Sequence, residues 1–262
     1  MIGIIGTGNM GSALIGGAVS AFGENNVTFF DKDEQKCADI ERKYKIAKSE
    51  SNKALAASCD MIVLAIKPQV FFGVLAEIEA FVTDNKMILS IAPGIEIKKI
   101  KEALSGKGEI VRIMPNTPAQ VGAGMSAICF MEGFKGRKED VMRLFNSVGM
   151  SVELPESLMN AAVVANGSSP AFVFMFIEAM ADGAVKYGIP RATAYEMVAQ
   201  TVLGSAEYML KTGKHPGELK DAVCSPGGTT IYGVSALEEA GFRNALIKGC
   251  DAVYEKTVSM NK

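Results

Sequence analysis

The stretch Met1-Ile-Gly-Ile-Ile-Gly-Thr-Gly-Asn-Met-Gly11 decides the reading of the whole chain. Ile2 to Ile5 is a short apolar run, as expected of a strand buried on both faces. Gly6, Gly8 and Gly11 follow in G-x-G-x-x-G spacing, and a helical pattern through Ala13, Leu14, Ala18 and Val19 comes next. Each glycine has its own reason. Gly6 permits the tight strand-to-helix turn, Gly8 lets the backbone approach a pyrophosphate, and Gly11 lets the helix pack close to the strand. The N–H groups at the helix start, with the positive end of its dipole, attract phosphates. Such a triplet alone is weak evidence, but a strand precedes it, a helix follows it, and an acid stands at the right distance. Asp31 lies at the end of a second apolar run, Val27-Thr-Phe-Phe30. A dinucleotide site is therefore expected at Gly6, Thr7, Gly8, Asn9, Met10, Gly11 and Asp31.

The totals fit that reading. The chain has 262 residues, enough for one large domain or two modest ones, with 48% hydrophobic and 21% charged residues. A formal net charge of −2 and the lack of a basic run argue against nucleic acid as the main partner. The chain opens directly into a strand, so no signal peptide is expected. The apolar stretch Ala171–Ile177 is bounded by Pro170 and Glu178 and falls short of the ~20 residues that span a bilayer. Five scattered cysteines without a C-x-x-C read as reduced thiols in the cytoplasm. One histidine, His215, leaves no plausible metal site.

Up to about residue 155 strand-like and helical runs alternate, which predicts a doubly wound α/β sheet with its ligands at the carboxyl ends of the central strands. Three of those ends carry polar residues. Lys67-Pro68 follows Met61–Ile66, Ser90 closes the next strand, and Asn116 stands in Met114-Pro-Asn-Thr-Pro118. Lys67 reads equally well as a solvated loop lysine, and Asn116 as the head of an Asx turn. Beyond residue 155 the strand pattern stops. Residues 156–262 read as helices rich in Ala, Met, Val and Leu, the longest being Arg191–Thr212, which is apolar all round. So few residues cannot cover such a helix, and the expectation is a second subunit: a homodimer with a large apolar interface.

A second glycine cluster, Ser225-Pro-Gly-Gly-Thr-Thr230, precedes a helix. Unpaired N–H groups there would make a small anion site suited to a substrate carboxylate. The plainer alternative is a surface helix capped by Thr229 or Thr230.

With Leu219–Gly233 and Val234-Ser-Ala-Leu-Glu238, this stretch resembles the signature of pyrroline-5-carboxylate reductases. The resemblance extends to the Gly6–Gly11 fingerprint, Ala65-Ile-Lys67-Pro68, Arg112–Pro118 and Gly167-Ser-Ser-Pro-Ala171. It implies a Rossmann domain (1–155) followed by a helical dimerisation and substrate domain (156–262), with dimers that can assemble further. It implies hydride transfer from NADPH or NADH to the imine of 1-pyrroline-5-carboxylate, giving L-proline. By the same resemblance Thr230 lies against the ring nitrogen, while Gly227, Gly228 and Thr229 hold the carboxylate. Asn52 touches the adenosine ribose, Ala65, Lys67 and Pro68 the central part of the cofactor, and Asn116 its nicotinamide side. Asp31 tilts the choice toward NADH, although Lys32 beside it could meet a 2′-phosphate. Two departures stand out: Ser169 where members commonly have glycine, and Ala222 where some relatives have asparagine. A β-hydroxyacid dehydrogenase would need a lysine between Met159 and Glu178, and none is there. A non-catalytic dinucleotide sensor would not need the Ser225–Thr230 loop.

Overall fold

The computed structural model describes residues 1–260. Seven strands form one sheet: β1 (Ile2–Ile5), β2 (Val27–Phe30), β3 (Met61–Leu64), β4 (Met87–Ser90), β5 (Glu109–Met114), β6 (Gly124–Phe130) and β7 (Gly149–Glu153), in the order β2-β1-β3-β4-β5-β6-β7. From β2 to β5 every pairing is parallel, with Ile5 opposite both Phe30 and Leu64. The carboxyl ends of these strands therefore form one edge, and the glycine loop leaves it from β1, between β2 and β3.

Helices cover both faces. On one lie α3 (Asn52–Ser58), α4 (Pro68–Ile78) and α5 (Ile97–Ala103); Leu55, Phe71, Leu75 and Ile100 pack there with Ile62, Leu64, Ile88 and Ile110. On the other lie α1 (Asn9–Phe22), α2 (Glu34–Tyr44) and α6 (Lys138–Asn146), whose Leu14, Ile15, Cys37, Val141 and Phe145 meet Met61, Val63, Leu89 and Val111. Alternate residues of each strand thus serve opposite faces, which is why β3 and β4 are buried at every position.

The sheet departs from a wholly parallel one at β6. β5 and β6 are antiparallel, with Met114 opposite Ala127. Only residues 115–123 join them, too few for the crossover that a parallel neighbour requires. β7 then runs parallel to β6.

The chain after β7 stays tied to this unit. Arg112 of β5 is buried, and its Nη1 and Nη2 donate to Glu156 Oε1 (3.3 Å) and Asn160 Oδ1 (3.2 Å). Glu156 Oε1 also accepts from Ile97 N–H at 2.8 Å. A buried guanidinium needs such partners, since an unpaired charge in the core is costly. The first compact unit accordingly runs past residue 155 to Pro170, and also takes in the chain from Tyr254 on. Short α7 (Met159–Ala162) passes into a π-helical turn at Val163–Gly167.

The second unit, Ala171–Val253, is helical. It holds most of α8 (Ser169–Lys186), then α9 (Arg191–Thr212), α10 (Pro216–Val223), α11 (Thr229–Glu239) and most of α12 (Phe242–Met260). α10 carries no strong sequence pattern; Pro216 at its start and His215 as its N-cap mark it, with Nδ1 accepting from Gly217 N–H at 3.1 Å. Pro170 does not break the apolar run as its sequence suggests. It lies in the first turn of α8, where a missing N–H costs nothing. The segment Glu156–Lys186 is in consequence long and apolar enough to cross a membrane by length and composition, and little of it is buried.

Within Ala171–Val253 only Ala181 and Ala194 are buried. Phe174, Met175, Met197, Leu203 and Leu210 are all more than half exposed. Phe172, Met175, Phe176, Met180, Phe242 and Leu246 line an open apolar hollow of about 480 Å³. So large an apolar surface on one chain marks a protein interface. Wild-type protein should therefore sediment as a dimer at micromolar concentration, and Leu203→Asp should dissociate or precipitate it by placing an ion in that interface. A folded, active wild-type monomer in the same experiment would overturn this.

Candidate functional site

The glycine loop has the geometry its spacing demands. Gly6 has φ +101°, and its N–H donates to Phe30 C=O at 2.8 Å. A Cβ on Gly6 would lie 2.4 Å from the Ala65 carbonyl oxygen, and one on Gly11 would lie 2.0 Å from that of Gly6. Gly8 is different: a Cβ there would meet nothing within 4 Å. Packing does not require glycine at that position, so the bare backbone keeps space open at the start of α1. Gly8 is the N-cap of α1 and provides no side-chain cap. The first N–H groups of the helix, at Asn9, Met10 and Gly11, are left for an external acceptor, which is how a dinucleotide phosphate is held. The residues present thus fit that cofactor.

Asp31 turns back onto the loop. Its Oδ2 accepts from Thr7 N–H (2.7 Å) and Thr7 Oγ1–H (2.9 Å), and its Oδ1 from Asp33 N–H (3.0 Å). Thr7 is buried, and Ser12 Oγ–H donates to its carbonyl at 2.9 Å. Burial of the Asp31 carboxyl opposes ionisation. The hydrogen bonds from Asp33 and Thr7, with the Lys36 ammonium, outweigh it and hold the group below the usual aspartate range. Asp31 therefore braces the turn, a role that strand-end position alone does not reveal.

The other expected residues of this unit stand along the same edge. Ala65 N–H donates to Ile5 C=O at 2.8 Å, which brings the end of β3 against the loop. Lys67 is exposed and forms the N-cap of α4 without a side-chain cap bond, with Pro68 in the first turn. Asn52 opens α3 and is buried; its Nδ2 donates to Glu77 Oε2 at 2.6 Å, and its Oδ1 has no partner. Asn116 does not head an Asx turn. Its Oδ1 accepts from Met125 N–H at 2.8 Å, on the next strand, and among the described residues its Nδ2 makes no hydrogen bond. Ser90 is fully buried, and its Oγ accepts from Ala92 N–H at 3.3 Å, as plain turn chemistry would have it.

A polar cavity of about 460 Å³ lies at the other edge, by the amino ends of β3, β4 and β5, lined in part by Asp60, Lys101, Glu109 and Arg137. Asp60 is paired with the N-terminal ammonium at 2.8 Å. This cavity is remote from the glycine loop and takes no part in the site.

In the second unit the loop before α11 is likewise uncapped. Gly227 has φ +69°, Gly228 is the N-cap, and Gly228 N–H closes a turn onto Ser225 C=O at 3.0 Å. A Cβ on Gly228 would strike Ser225 Oγ at 2.3 Å. Thr229 and Thr230 lie inside the helix, so neither caps it. Thr230 is partly buried, and its hydroxyl has no hydrogen-bond partner among the described residues. Unused N–H groups beside one free hydroxyl can hold a carboxylate and still present a donor.

No group of titratable side chains among the described residues could hold a metal ion. Burial, followed by the Glu156 charge, pushes the Cys129 thiol up to about 11, which leaves it inert.

Comparison with known proteins bears on both units. Residues 156–260 match the family model for pyrroline-5-carboxylate reductase dimerisation, and residues 1–94 match that of the coenzyme F420-dependent NADP oxidoreductases. The chain is 42% identical to the pyrroline-5-carboxylate reductase of Escherichia coli, over 100% of this chain and 98% of the relative. It is 41% identical to that of Methanosarcina acetivorans with the same coverage. Among solved structures, that of the Plasmodium falciparum pyrroline carboxylate reductase with NADP bound is similar, at a TM-score of 0.87 and 33% identity. It is matched over 100% of this chain and 98% of its own.

Because the folded Asp31 carboxyl titrates below its unfolded value, its contribution to stability is whole above the ordinary aspartate range. It is lost as pH falls through the folded value. Melting of wild type and Asp31→Asn from neutral pH to about pH 3 should show the variant less stable at neutrality, with the gap closing on the acid side. A gap that stays constant with pH would show that the Asp31 charge does not brace the loop.

Proposed function

The chain belongs to the pyrroline-5-carboxylate reductase family, and we propose that it shares out that reaction among the residues just described. It is an NAD(P)H-dependent oxidoreductase acting on a C=N bond, and it reduces 1-pyrroline-5-carboxylate to L-proline in proline biosynthesis. It forms dimers through its helical part. A second copy, rather than a membrane, is the cover we assign to the apolar helices. Glu178, Asp182 and Lys186 punctuate α8, and the dimerisation family match begins with the same segment. We place the enzyme in the cytoplasm, in keeping with five unpaired cysteines, and allow dimers to assemble further.

The reaction asks little in acid–base terms. The imine nitrogen can enter as its conjugate acid, and the bound nicotinamide supplies the hydride. What remains for the protein is to hold and orient. Gly6–Gly11 receive the pyrophosphate on the uncapped start of α1. Ala65, Lys67 and Pro68 take the central part of the cofactor, and Asn52 the adenosine ribose. Asn116, its Oδ1 already committed to Met125, offers its Nδ2 to the nicotinamide end.

The observation that carries the substrate assignment is the uncapped start of α11. The Gly227-Gly228-Thr229 segment receives the carboxylate, with the turn that Gly228 N–H closes onto Ser225 shaping the loop and the unbonded N–H groups from Thr229 onward as donors, and the Thr230 hydroxyl donates to the ring nitrogen as it becomes an amine. The test is oxidation of reduced nicotinamide, followed by absorbance, that depends on 1-pyrroline-5-carboxylate. Thr230→Ala should lower kcat about 10–1000-fold with a smaller change in imine KM, since its donor matters most in the transition state. Gly228→Ala should raise imine KM instead, and cofactor affinity should hold in both. A Thr230→Ala enzyme with full turnover would remove Thr230 from the chemistry.

For the cofactor we infer a lean toward NADH. Asp31 remains partly exposed at the end of β2, and its firmly ionised carboxylate repels a 2′-phosphate. Lys32, exposed beside it, works the other way. The ratio of kcat/KM for NADH to that for NADPH decides the matter. Asp31→Ser should shift the ratio toward NADPH about tenfold to a hundredfold, the effect of ~1–3 kcal/mol of relieved repulsion. A wild-type preference for NADPH would overturn the inference.

A further inference from the structure

One buried polar side chain has no part in the reading above. Asn166, only 6% exposed, lies in the π-helical turn Val163–Gly167, in an otherwise apolar run. Its Nδ2 donates to two carbonyl oxygens at once, Met114 C=O at 2.7 Å and Met125 C=O at 2.9 Å. Its Oδ1 is buried with no partner. Two carbonyl acceptors can be met only by the NH₂ half of an amide, so the orientation follows from the neighbours.

These two carbonyls lie where the β5–β6 ladder gives out. The paired register ends with Met114 opposite Ala127, and Met125 lies two residues beyond in β6. Asn166 replaces the missing ladder bonds with one planar fork that clips the two strands together. Met125 is then held on both sides: its C=O by Asn166 Nδ2, its N–H by Asn116 Oδ1. The loop between the strands begins Pro115-Asn116, one residue past the clipped Met114.

We propose that Asn166 is a positioning residue for the nicotinamide end of the cofactor, acting through Met114 and Met125 to fix the Asn116 amide with its Nδ2 free to donate. The inference rests on the assignment of Asn116 to that end. Asparagine suits the task because one nitrogen carries two N–H donors; serine could serve only one of the carbonyls, and aspartate would set lone pairs against both.

The test compares dissociation constants of NADH and of ADP-ribose, which lacks the nicotinamide, for wild type, Asn166→Ala, Asn166→Ser and Asn116→Ala. Asn166→Ala should weaken NADH about tenfold and leave ADP-ribose within about twofold. Asn166→Ser should recover part of the loss, and it retains one clip bond if the alanine variant fails to fold. Asn116→Ala should show the same NADH-specific loss. Equal weakening of both ligands in the Asn166 variants, or of neither, while Asn116→Ala still loses NADH selectively, would overturn the inference and leave the Asn116 assignment standing. An Asn116→Ala protein that binds NADH like wild type would instead overturn that assignment, and the inference with it.

Discussion

The approach of α1 to the turn after β1 is the constraint on which the first unit depends. The Gly11 backbone packs so tightly on the Gly6 carbonyl that a methyl group would lie 2.0 Å from its oxygen, far inside van der Waals contact. That contact sets where α1 begins, and so where its unbonded N–H groups point. The end of β3 lies close against the same loop, where a Cβ on Gly6 would come 2.4 Å from the Ala65 carbonyl oxygen. Asp31 completes the arrangement from β2 by taking both donors of Thr7. Three strands thus converge on one peptide segment, and the space beside Gly8 stays open.

Most of the first unit was legible because its central strands β1, β3 and β4 are fully buried and its punctuation is strong. Apolar runs of four residues between glycines, prolines and helix caps admit few alternatives. What escaped was whatever depends on contacts distant in sequence. The reversal at β6 was implicit in the short link between Met114 and Gly124, but a strand pattern carries no sign of direction. Pro170 read as a boundary because proline usually ends a helix; only the preceding π-turn shows that a new helix begins there.

The site was legible as chemistry and less so as geometry. Glycine spacing marked the two loops proposed for the phosphate and the carboxylate, because a bare backbone is the device a sequence can announce for close approach. Thr229 and Thr230 looked like caps by composition, yet Gly228 takes the cap position and leaves the Thr230 hydroxyl unused. Asn116 looked like the head of an Asx turn, but its side chain bonds across to Met125. Asn166 had no signal beyond being one amide among alanines and valines. Its meaning lies in two carbonyls some forty to fifty residues away along the chain.

The helical unit has further consequences for how the molecule comes into being. With only Ala181 and Ala194 shielded between Ala171 and Val253, this stretch holds almost no interior of its own. The sheet unit can complete its core along a single chain, in a step of first kinetic order. The helical unit acquires its core only on meeting another copy, so the last stage of maturation is of second order and slows as the chain is diluted. Abundance, and not sequence alone, then sets how long newly made chains spend with Phe174, Met175 and Leu203 facing water.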